Sequence, residues 1–80
     1  MIKELDQVVL TTELPEHGLQ AGDIGTVVLV HGEGAGYEVE FVALDGETLA
    51  VVSLPAEQVR PIAPREIARV RSVERHPQAA

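Results

Sequence analysis

The sequence predicts a mainly β protein, a small five-stranded barrel with a short C-terminal helical or disordered extension, and three observations support this. Five short runs rich in Val, Leu, Ile and Thr are separated by Gly, Pro and Asp-Gly turn signals. The apolar fraction is 45% but includes one Phe and one Tyr, so the core must be aliphatic. The chain has 80 residues, enough for one core, because a domain of this size buries only about 60–65% of the surface its unfolded chain exposes.

The first strand is expected within Asp6 to Leu14, with Val8 and Leu10 on one face and Val9 on the other. Pro15 ends it, and the long turn-rich stretch to Asp23 is expected to be pinned to the core by Leu14 and Leu19. Ile24 to Val30 is nearly continuous in β-branched residues, as in a strand covered on both sides or strongly bent at a barrel corner. Gly25 within it predicts a bulge or a close backbone approach. The glycine-rich stretch His31 to Gly36 is expected to be a flexible hairpin tip; it lacks the Lys-Ser/Thr and following helix of a phosphate loop.

Strict alternation then places Tyr37, Val39 and Phe41 inward and Glu38 and Glu40 outward in a third strand. Asp45-Gly46 predicts a type I′ turn into a fourth strand over Thr48 to Leu54. Pro55 to Gln58 predicts a single 3₁₀ turn, and Val59 to Ile62 a brief last strand. Pro61 lacks an amide donor, which confines that strand to an edge. In Arg65 to Val73, Ile67, Val70 and Val73 recur every third residue, so both a short helix over 65–73 and a disordered extension remain open. Five strands, a long first loop and a one-turn element before the last strand describe an SH3-like barrel over 1–62, followed by a basic extension over 63–80.

Several runs carry a family resemblance: Leu5 to Leu10, Leu14-Pro15-Glu16-His17-Gly18-Leu19 continuing through Gly22-Asp23-Ile24-Gly25 to Val28, Tyr37 to Phe41, and Leu54-Pro55-Ala56-Glu57-Gln58-Val59-Arg60-Pro61. Together they closely resemble the small bacterial domain of unknown function 4926 family across about residues 3 to 62. The resemblance implies an SH3-like barrel similar to KOW-type modules and to the C-terminal domain of the β-subunit in nitrile hydratase. It brings no catalytic residues, and it implies a partner-binding role such as an antitoxin or accessory subunit.

The net charge of −7 is unevenly distributed. Residues 1–62 carry Lys3 and Arg60 against eleven acids, net −9, whereas 63–80 carry Arg65, Arg69, Arg71 and Arg75 against Glu66 and Glu74, net +2. The acidic body repels phosphate and offers bases no stacking surface, which argues against nucleic-acid binding. Without Cys there is no disulfide, thiolate or cysteine zinc site. A charged N-terminal stretch and the lack of a long apolar run predict a cytoplasmic protein without membrane insertion.

His17, His31 and His76 are too scattered to predict a metal site, and no cofactor is expected. Glu38 and Glu40, about 7 Å apart on one strand face, have the spacing of paired hydrolase carboxylates. An exposed acidic strand is the simpler reading, and with Asp45 and Glu47 it forms a candidate surface for a basic partner. The sequence thus predicts a non-enzymatic protein-interaction module that docks through Arg65, Ile67, Arg69, Val70, Arg71 and Val73, through Glu38 and Glu40, or through both. A small homo-oligomer is compatible with this. A KOW-type RNA-binding module and a nitrile-hydratase-like maturation or accessory subunit are the alternatives.

Overall fold

A computed structural model describes residues 1–74. Five strands, β1 (Gln7–Leu10), β2 (Ile24–His31), β3 (Gly36–Val42), β4 (Thr48–Pro55) and β5 (Val59–Pro61), form one antiparallel sheet in the order β4-β3-β2-β1-β5. Short 3₁₀ turns at Pro15–His17 and Ala56–Gln58 precede β2 and β5. This order, with one turn before the last strand, is compatible with an SH3-like arrangement, although β4 and β5 do not pair to close the barrel.

Alternation in β3 places Tyr37, Val39 and Phe41 in the core, where they meet Val8, Leu10, Val27, Leu54 and Val59. No polar side chain is buried among the described residues, so the core is held by aliphatic and aromatic packing alone. Gly25 is the close approach the sequence predicts: a Cβ there would lie 2.5 Å from a Val39 methyl and 2.9 Å from the Phe41 ring. The bulge occurs later, where the β2–β3 register shifts between Val27 and Leu29. Beyond it β2 is not covered on both sides, and Val28 and Leu29 are exposed.

β1 stops at Leu10, short of the expected Leu14: the Thr11 amide still donates to the Gln58 carbonyl at 2.9 Å in register with β5, and the chain then bends at Thr12. The following loop folds back as expected, with Leu14 and Leu19 bridging each other and Leu19 in the core. The Asp45-Gly46 turn is not type I′. Gly46 alone has positive φ there, and its amide donates to the Ala43 carbonyl at 2.9 Å, so a type I turn is followed by one left-handed glycine. Pro61 lies in β5, which pairs with β1 alone at the sheet edge.

The helix left open over 65–73 does not form. After a turn at Pro64–Arg65 the chain continues to Glu74 with neither helix nor strand, as a strap lying back against the sheet. A nine-residue helix is marginal alone, and two ionic contacts hold this segment to the body instead. Arg75 and His76 lie outside the described residues.

Candidate functional site

β3 is central to the acidic face, with Glu38 opposite Leu29 on β2 and Ser53 on β4. Glu38 Oε2 accepts a hydrogen bond from His31 Nε2 at 2.6 Å and another from the Ser53 hydroxyl. Stabilised first by His31 and then by Ser53, the Glu38 carboxyl is held below its ordinary pKa. Glu40 accepts from the Thr48 hydroxyl at 2.7 Å. Both carboxylates are therefore tied to β4, and Val51 is exposed between their two hydroxyl partners.

Asp45 and Glu47 do not join this cluster. They line a separate cleft of about 570 Å³ between the β3–β4 turn and the strap, together with Phe41, Leu49 and Val73. Asp45 Oδ1 accepts the Glu47 amide at 3.0 Å, which organises the turn locally. His17 lies on the first 3₁₀ turn, Pro15–His17. Among the described residues no three His, Asp or Glu side chains gather as a metal site.

The strap is fastened at two points. Arg60 forks onto Glu66 through two bonds of 2.8 and 2.7 Å, and the Ala63 amide donates to the same carboxylate at 2.6 Å. These contacts, Arg60 first, lower the Glu66 pKa to about 2. Farther along, Arg71 Nε donates to Asp23 Oδ1 at 2.9 Å, and its Nη2 donates to Asp23 Oδ2 and to the Gly18 carbonyl, the latter at 3.2 Å. Asp23 also accepts the Gln20 amide at 2.8 Å, so one carboxylate both shapes the first loop and anchors the strap.

The predicted docking residues thus fall into distinct groups. Arg71 is bound to the protein's own body and Val73 is half-buried in the cleft. Arg65, Ile67, Arg69 and Val70 are exposed, Ile67 at 95% and Val70 at 77%. With Arg60 and Arg71 engaged, Lys3, Arg65 and Arg69 are the lysine and arginine side chains without an ion pair among the described residues. Asp23 is the site residue that sequence reasoning missed. It reads there as a turn residue, and the only hint of its second role is an excess of arginine 40 to 50 positions later.

Among the described residues no helix is long and apolar enough to cross a membrane. No curated protein and no solved structure matches the chain. The family described as domain of unknown function (DUF4926) matches residues 4–61, which reach from the turn before β1 to the end of β5 and leave the strap outside. With its whole sheet inside that match, the chain belongs to the DUF4926 family.

Proposed function

We propose that this protein is a non-enzymatic protein-interaction module, an accessory subunit or antitoxin-like partner that docks through its C-terminal strap. The carrying observation is that Ile67 and Val70 stand exposed on a segment fastened to the sheet by Arg71 and Asp23. Two aliphatic side chains three residues apart, presented to solvent on a backbone tethered at both ends, offer apolar contact whose ordering cost is partly met before binding. Arg65 and Arg69, exposed beside them in the chain, suit a partner with acidic groups at the rim of an apolar pocket. The carboxylates that most resembled catalytic groups, Glu38 and Glu40, are engaged by neighbouring hydroxyls, which also favours a binding role. The absence of Cys from the sequence suits a cytoplasmic setting.

The test is to isolate the full-length protein from its native cells beside the double variant Ile67→Asp, Val70→Asp. The expected outcome is a stoichiometric protein partner that co-elutes with the wild type and is lost with the variant, at unchanged thermal stability. A monomer without a partner, or a partner retained by the double variant, would overturn the proposal.

A further inference from the structure

The two outer strands of the sheet are unequally protected. β5 has three residues, carries Pro61, and lies beside the Arg60–Glu66 contact. β4 has eight residues, contains no Asp, Glu, Lys or Arg, and meets its only proline at its last position. Its register with β3 shifts once, near Leu49, and from Ala50 to Leu54 it pairs residue for residue with Phe41 to Tyr37. Among the described residues its backbone hydrogen-bonds to β3 alone. Edge strands ordinarily carry a charge, a proline or a bulge that prevents further pairing, and Ala50 to Leu54 has none of these.

The carboxylates of the neighbouring strand lean toward that open edge. Glu38 bonds the Ser53 hydroxyl and Glu40 the Thr48 hydroxyl, so two negative charges lie over β4. A strand added beyond β4 would run about 4.8 Å away, within reach of those oxygens for a lysine or arginine side chain.

We propose that the β4 edge takes up an extended segment of another protein by strand addition, a segment with lysine or arginine at alternate positions and small aliphatic residues between them. Main-chain bonds to Ala50–Leu54 supply the pairing, Glu38 and Glu40 select the cations, and the intervening aliphatics cover the half-buried Ala50 and Val52. A second copy fits poorly. Its β4 brings no cation, and two chains of net charge −7 would place both acidic faces on one continuous sheet. The chain's own Arg69-Val70-Arg71 has the right alternation, but Arg71 is held by Asp23. The proposal rests on the view of the protein as an interaction module and uses a different surface from the strap, so the two fail separately.

The test uses the full chain and an acetylated, amidated octapeptide alternating lysine with valine, read by amide hydrogen exchange. We expect alternate amides in 49–54 to slow at least tenfold on adding the peptide. The same binding should appear in the Ile67→Asp, Val70→Asp variant and weaken several-fold in E38Q/E40Q. A peptide N-methylated at alternate amides, which leaves the protein untouched, should lose binding, as should one with glutamate replacing lysine. Unprotected β4 amides, equal binding of the N-methylated peptide, or β4 protection that rises with protein concentration without peptide would each overturn the proposal, the last by making a second copy the occupant.

Discussion

Replacing Gly25 with Ala tests the close approach of the start of β2 to Val39, Glu40 and Phe41 of β3. The added Cβ would sit 2.5 Å from Val39 Cγ1, 2.9 Å from Phe41 Cε1 and 3.0 Å from the Glu40 carbonyl oxygen, against an optimum near 3.5–4.0 Å for carbon pairs. Val39 is fully buried and Phe41 is 2% exposed, so neither can swing into solvent. Forcing one methyl into such a core costs about 1–3 kcal/mol. Because Gly25 does not occupy the left-handed region, alanine returns about 0.4–1 kcal/mol by restricting the unfolded chain. Taking the middle of each range, the net loss is about 1.3 kcal/mol, or a fall in Tm of roughly 5–10 °C for a domain of this size. Val39→Ala alone should cost about 2 kcal/mol for its lost methyls and the space left behind. It also vacates the position that clashes, so the double variant should be more stable than the sum of the two losses by about 1 kcal/mol. Thermal and urea unfolding of the four proteins measure this coupling. A Gly25→Ala protein as stable as wild type, or strictly additive losses, would refute the close-approach argument.

Three further outcomes are expected. Leu19→Ala should cost about 2–5 kcal/mol by emptying the site that pins the first loop, whereas Leu44→Ala, 91% exposed, should stay within about 0.5 kcal/mol of wild type in the same melts. The Glu66 pKa is lowered from 4.5 to about 2, so its contact with Arg60 contributes stability above the unfolded value near 4.5, and that contribution fades as pH falls through about 2. NMR should find Glu66 still ionised at pH 3 and titrating nearer 4.5 in Arg60→Gln; an ordinary midpoint in the wild type would contradict the contact. Ser53→Ala should raise the Glu38 midpoint only part of the way, because His31 remains, and adding His31→Ala should raise it further. An unmoved midpoint would mean that Ser53 does not hold the carboxylate.

What could be read from the sequence was local. The alternation of Tyr37 to Phe41 needs only the two-residue period of a strand, and the edge position of β5 needs only the missing amide of Pro61. Where two local readings competed, neighbouring residues could not decide between them. Asp-Gly favours a type I′ turn, yet the register shift between Phe41 and Val42 leaves room for a type I turn with Gly46 left-handed after it. Ile67, Val70 and Val73 have helical spacing, but the carboxylates that tie the segment to the body are Glu66, beside Arg60, and Asp23, 48 residues from Arg71. The acidic surface divided for a similar reason, since the turn carries Asp45 and Glu47 to the strap side, away from Glu38. No periodicity encodes such separations, and the Arg71–Asp23 contact in particular requires β1 to have paired with both β2 and β5.

That dependence gives the Arg71–Asp23 contact a place in time. In an open chain, bringing together groups 48 residues apart costs about 3–4 kcal/mol in loop entropy beyond a constant. Pairing β1 with both β5 and β2 lowers that cost to about 2 kcal/mol, because Pro61 is then fixed opposite Val8, Ile24 opposite Val9, and only the short run from Pro61 to Arg71 remains free. The strap therefore fastens late, on a sheet whose first and last strands have already met. A partner that engages Ile67 and Val70 on the fastened strap would distinguish a completed fold from a nascent or unfolding one, and would bind the protein only after its own folding is finished.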